Sequence, residues 1–247
     1  MTAVTAYHKP TSVDAAVRLM QAGGSVVAGG TKANANTNPL DGPPPPREVV
    51  DIQALGLDSI SIDGDGVATM GACVTLQGIC DSDALPAAVS EASRREAPRT
   101  IRNAATLGGT VASRVSTSEL LAALLVYNAT VQLHAADGGI LVSLTQVLTD
   151  GIDKGLITEI RIDTGGTGAA HRVGRTPSDE PIVAAVGRVD ADGQLIVAVT
   201  GVAEAPTLVD PDNLDELQPP GDFRGTPDYR RHLASVLVSR VTQELTR

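Results

Sequence analysis

The chain has 247 residues, a formal net charge of −10 and a hydrophobic fraction of 42%, supplied mainly by Ala, Val, Leu and Ile, with one Phe, three Tyr and no Trp. Such a composition is globular and leaves room for one large domain or two to three small ones. The acidity and scarcity of aromatic rings argue against nucleic-acid binding, which relies on basic grooves and stacking platforms.

Cys73 and Cys80 have a spacing that fits neither a C-x-x-C redox pair nor a zinc or iron–sulfur ligand set, and they read as reduced thiols. His8, His134, His171 and His232 are isolated, so no metal site is expected. Ser113, Ser116 and Ser118 lack a nearby His or a nucleophile elbow, which argues against a hydrolase. No apolar run reaches the roughly 18 to 20 residues of a membrane span. Residues 1–9 carry no signal-peptide core, so a cytoplasmic protein is predicted.

In chain order, residues 12–20 have apolar positions at helical spacing, with Thr11 or Ser12 as cap and Gly23-Gly24 as stop. Residues 25–28 form a short strand that runs into Gly29-Gly30-Thr31-Lys32, where backbone donors can meet an anion. Residues 33–38 and the four prolines at 43–46 predict a loop. Strands follow at 48–52 and 66–72, with a composition break near 56–58. Helices are predicted at 76–80 and 84–95, the latter turning Leu85, Val89 and Ala92 inward.

The central stretch ends in Ala105-Thr106-Leu107-Gly108-Gly109-Thr110, where two glycines between hydroxyl residues predict a tight turn able to aim N–H groups at an anion. With the loop at 29–32 this makes two anion cradles, as a ligand with two phosphates would need. The cluster Arg94, Arg95, Arg99 and Arg102 reads as helix-end capping, or as a face for a phosphate or partner. A helix follows at 119–127, then a hairpin over 129–142 turned by Gly138-Gly139, and a strand at 156–162. Beyond Gly165-Gly166, three antiparallel strands are predicted at 169–173, 182–189 and 195–202. A closing helix at 228–245 has Tyr229, Leu233, Val236, Leu237, Arg240, Val241 and Leu245 on one face.

These segments resemble the FAD-binding medium subunit of molybdenum hydroxylases, the family of xanthine dehydrogenase and aerobic carbon monoxide dehydrogenase. Ala28-Gly29-Gly30-Thr31 is similar to the family's first flavin loop, and the specific string Ile101-Arg102-Asn103-Ala104-Ala105-Thr106-Leu107-Gly108-Gly109 to its second. Gly71-Ala72-Cys73-Val74-Thr75-Leu76, residues 169–186 and Gly225-Thr226-Pro227-Asp228-Tyr229-Arg230-Arg231 match other family segments in the right order.

The resemblance implies an α+β fold: a PCMH-type FAD-binding domain of two α/β subdomains, 1–56 and 57–165, and a C-terminal domain, 166–247, with a three-stranded antiparallel sheet and helices. It implies FAD, with its pyrophosphate between Ala28, Gly29, Gly30, Thr31, Lys32 and Ala33 and Thr106, Leu107, Gly108, Gly109 and Thr110. Glu119 stands where the family has an Asp facing the ribityl or nucleotide part, and Ser116 where it has a Pro. Ile157 corresponds to an apolar residue packed on the isoalloxazine, and Arg172 to a Lys near the flavin ring. Lys32-Ala33 replaces an Asp and a large apolar residue, and Thr110 replaces an Asn.

The implied role is an electron-transfer subunit that passes electrons from iron–sulfur centres through FAD to NAD, a quinone or oxygen. Its implied partners are a molybdopterin-containing large subunit and a 2Fe-2S small subunit, in an assembly such as a dimer of heterotrimers. Two alternatives stay open: a flavin-free docking subunit that keeps the fold, and a stand-alone flavin oxidoreductase.

Overall fold

The computed structural model describes residues 4–33, 46–152 and 155–247. The predicted loop from residue 34 to 38 and most of the proline run fall outside them. Among the described residues, three sheets make up the architecture. The first comprises β1 (Val4–His8), β2 (Ser25–Val27) and β3 (Arg47–Asp51), all parallel in the order β1-β3-β2, with helix α1 (Val13–Gln21) between β1 and β2. Ser12 starts α1 by accepting a hydrogen bond from the Ala15 N–H. Ala16, Val17, Val50 and Ile52 form a small core that reaches Cys73 and Leu156 of the next layer.

The second sheet is antiparallel. It contains β4 (Ile60–Ile62), β5 (Val67–Gly71), β6 (Thr130–Ala135), β7 (Gly138–Ser143) and β8 (Leu156–Asp163), in the order β4-β5-β8-β6-β7. Between β5 and β6 the chain makes five helices: α2 (Leu76–Cys80), α3 (Ala87–Glu96), α4 (Arg99–Arg102), α5 (Leu107–Ser113) and α6 (Glu119–Val126). Helix α7 (Leu144–Asp150) follows β7. The third sheet, β9 (Thr167–Val173), β10 (Val183–Val189), β11 (Leu195–Thr200) and β12 (Thr207–Val209), is covered by α8 (Pro227–Leu245).

Helix α6 occupies the centre. Its sequence is apolar all round after Glu119, and every residue from Glu119 to Val126 is buried. It packs between α3 and the third sheet. Period-two alternation divides that sheet: Val186 and Ala198 join the α6 core, whereas Val183, Ala185, Val197 and Val199 join the core under α8. Gly187 lets α8 approach, since a Cβ there would lie 2.3 Å from Val241 Cγ1.

Several expectations are corrected. The C-terminal sheet has four strands, because three residues at Thr207–Val209 pair with Val197–Val199, too short a segment to show periodicity. Gly108 and Gly109 form no tight turn but lie in the first turns of α5, capped by Thr106. Glycine is needed at 108 for packing, since a Cβ would sit 2.8 Å from Ala72 Cβ. Helix α3 starts after Pro86 rather than at residue 84. In the β6–β7 hairpin the turn is Ala136-Asp137, and Gly138-Gly139 opens the returning strand. In α8 the buried face takes in Arg230, Ala234 and Val238, while Tyr229 and Arg240 are exposed.

Arg188 ties the third sheet to the end of α6. Its guanidinium lies 4.7 Å from the Tyr127 ring centroid, and it donates to the Val126 carbonyl at 3.3 Å and the Gly165 carbonyl at 2.8 Å. Among the described residues, no helix is long and apolar enough to cross a membrane. Arg188→Met leaves two carbonyls without these donors, so it is expected to lower the unfolding free energy by about 2 kcal/mol in urea denaturation.

Candidate functional site

The two glycine loops predicted from sequence meet. A Cβ on Gly29 would lie 1.7 Å from the Ala104 carbonyl oxygen, so only glycine permits this approach. Gly30 has φ +68°, the left-handed conformation that turns consecutive N–H groups toward one side. Among the described residues, the N–H groups of Gly29, Gly30, Thr31 and Lys32 meet no acceptor. Two cavities share Gly29 and Thr106 in their walls, one of about 410 Å³ and one of about 450 Å³.

The second loop is satisfied internally. Leu107 N donates to the Val74 carbonyl and Gly108 N to the Ala72 carbonyl, each at 2.9 Å. Gly109 N donates to Thr106 Oγ1 at 3.2 Å, and Thr110 N to the Thr106 carbonyl at 2.9 Å. Spare backbone donors therefore come from the first loop, and the second supplies close packing and hydroxyls.

Charge in the 410 Å³ cavity converges from the first loop, α3, α6 and the loop after β9. Glu119, at the start of α6, is 3% exposed and meets Arg172 Nε of β9 at 3.0 Å and Arg95 Nη1 of α3 at 3.4 Å. Burial raises its carboxyl above the ordinary carboxylate range against the pull of both guanidiniums. Arg172 continues to the Pro177 carbonyl at 2.9 Å and to the Asp179 carbonyl, fixing the loop between β9 and β10 whose Glu180 and Pro181 line the cleft. Glu96 Oε1 accepts from Ser118 Oγ at 2.7 Å and Leu120 N at 2.9 Å, so it caps α6 from the end of α3. Burial raises Glu96 as well. Lys32 Nζ donates to Ser113 Oγ across the cleft at 2.7 Å. Burial lowers the lysine's pKa, and the charges of Glu96 and Glu180 oppose that shift.

Of the sequence-predicted residues, the structure brings the whole first loop, 28–33, together with Thr106, Gly109, Thr110 and Glu119 around the 410 Å³ cavity. Leu107 and Gly108 are buried beneath it. The Ser116 carbonyl accepts from Gly201 N. Ile157 is 6% exposed in the core, and neither it nor Arg172 lines the cleft. Arg102 caps helix ends, donating to the Arg94 and Ala97 carbonyls, whereas Arg95 of the same cluster turns to Glu119. Glu96 and Ser113 escaped the sequence reading. Glu96 serves groups more than twenty positions downstream, far outside the three-residue spacing of a capping box.

Two substitutions probe this geometry. Gly29→Ala is expected to force the loops apart and cost about 1–3 kcal/mol in denaturant unfolding, while Gly109→Ala, whose Cβ would lie 3.0 Å from Thr106 Oγ1, is tolerated far better. With its pKa raised above 4.5, folded Glu96 binds more protons than unfolded Glu96 in the window starting near that value. It therefore withdraws stability as pH rises through the window. Glu96→Gln keeps the Oε1 acceptor, so it is expected to gain stability relative to the wild type across that rise and hold a constant difference above it. Parallel urea-unfolding profiles would contradict this account.

Residues 2–162 match the FAD binding domain in molybdopterin dehydrogenase. "Uncharacterized protein YgfM" of Escherichia coli (strain K12) is 33% identical over 251 residues, covering 94% of this chain and 93% of the relative. The fold is that of a chain in the reconstituted CO dehydrogenase from Oligotropha carboxidovorans, with a TM-score of 0.86 at 24% identity, covering 99% of this chain and 98% of that one. A chain of quinoline 2-oxidoreductase from Pseudomonas putida 86 superposes with a TM-score of 0.85 at 20% identity, covering 97% and 96%. With its glycine loops meeting at a cleft and this match over most of its length, the chain belongs to the FAD-binding family of the molybdopterin dehydrogenases, an oxidoreductase family.

Proposed function

We propose that this chain is the FAD-carrying electron-transfer subunit of a molybdenum hydroxylase complex, taking electrons from iron–sulfur centres and delivering them to NAD, a quinone or oxygen. The observation that carries the reading is the run of unpaired amides at Gly29–Lys32 beside the left-handed Gly30, at the wall shared by two cavities. That cradle suits a pyrophosphate, with the two halves of a dinucleotide in adjoining chambers. When bound, FAD supplies the redox chemistry, collecting and passing on electrons. The residues of this chain bind and orient: the first loop offers amides, Thr106 and Thr110 line the facing wall, and the Glu119–Arg172 contact holds the loop that brings Glu180 and Pro181 to the rim.

With two cysteines and no cluster-binding spacing, the iron–sulfur centres belong in this reading to a separate 2Fe-2S subunit, and substrate oxidation to a molybdopterin-containing subunit. We assign the same three units as the sequence, 1–56, 57–165 and 166–247, and a cytoplasmic location. The chain co-purified with both partners is expected to show flavin absorbance at about one FAD per chain, bleached when substrate is added without an acceptor. A folded complex that never retains flavin would sink the proposal.

A further inference from the structure

We propose that Lys32 is the phosphate ligand of the cleft, held over it by Ser113; this rests on the function proposed above and names the side chain that neutralises the dinucleotide. The charged side chains lining the 410 Å³ cavity are Lys32, Arg95, Glu96, Glu119 and Glu180. Arg95 and Arg172 already offset Glu119, and Arg224 offsets Glu180 at 2.9 Å, so a pyrophosphate entering beside Glu96 in a chain of net charge −10 needs a further cation. Arg95 is committed to Glu119 and Glu91. Lys32 has no carboxylate in ion-pair contact among the described residues, and its hydrogen bond goes to a neutral oxygen.

The local geometry fits this role. Ser113 Oγ donates its own proton to the Thr110 carbonyl at 2.8 Å, so a lone pair faces the lysine. One of the three ammonium N–H groups is thereby fixed, which leaves two for phosphate oxygens. Lys32 also follows directly on the unpaired amides of Gly29, Gly30 and Thr31, so side-chain and backbone donors come from one loop. A charge-assisted bond to phosphate is roughly twice as strong as one to a neutral acceptor. The lysine thus supplies from the first loop the donor capacity that the second, with its amides consumed at 107–110, lacks.

The test is titration of the full chain with FAD, followed by flavin fluorescence at several salt concentrations. Lys32→Met is expected to bind FAD roughly 10- to 100-fold more weakly than the wild type and with a shallower salt dependence. Lys32→Arg, which keeps the charge, restores most of the affinity, and the urea-unfolding profile of Lys32→Met matches the wild type. A parallel titration with inorganic pyrophosphate asks the same of Lys32 without flavin. Lys32→Met binding FAD and pyrophosphate within about twofold of the wild type overturns the assignment, as does an equal loss in Lys32→Arg. Wild-type protein that binds pyrophosphate but never FAD rejects the function proposed above and leaves the lysine to be judged on pyrophosphate alone.

Discussion

The structure depends on the neutralisation of Glu119. A helix apolar on every side can sit at the centre of the molecule, but it carries a carboxylate at its first position, and that carboxylate is buried with it. Two arginines from different elements, Arg95 on α3 and Arg172 on β9, converge on it. Such a contact adds little net stability over an apolar substitute, but removing one partner leaves a charge uncompensated, at a cost of about 3–5 kcal/mol. Its value here is geometric. It fixes where α3 ends, where Glu96 sits, and how the loop after β9 lies along the cleft.

The same logic separates the two glycine pairs, which look alike in sequence. Gly29 and Gly30 are needed for backbone approach and for a left-handed residue, and they leave amides unpaired. Gly108 and Gly109 sit in a helix, where the first gives room for Ala72 and the amides are already used. A Gly-Gly dipeptide marks a place where side chains are not allowed. Whether the reason is conformation or packing depends on what lies against it, and that contact is long-range.

For this reason legibility was uneven. Elements with strong local periodicity, such as α1, α6 and β8, were readable because propensity, capping residue and burial agree. Both loops of the cleft could be located, along with Glu119 at its edge. Strand β12 was hidden because an edge strand of three residues has too few positions to alternate. The face of α8 departs from its apolar stripe at Tyr229, because residue type favours an aromatic over Arg230, which is buried on the Ile182 and Gly201 carbonyls. The resemblance places Arg172 near the flavin ring, but its contact with Glu119 needs the third sheet to be folded against α6.

That last dependence sets an order of events in the cell. Helix α6 leaves the ribosome well before β10 and β11, whose Val186 and Ala198 complete its core. Until the C-terminal strands arrive, α6 has one bare face, Glu119 lacks Arg172, and the rim at Glu180 and Pro181 does not exist. The cleft is therefore finished only after β9, β10 and β11 have been made, and capture of the cofactor has to follow them. A nascent chain stalled before β9 would display both glycine loops without the surroundings that turn them into a site.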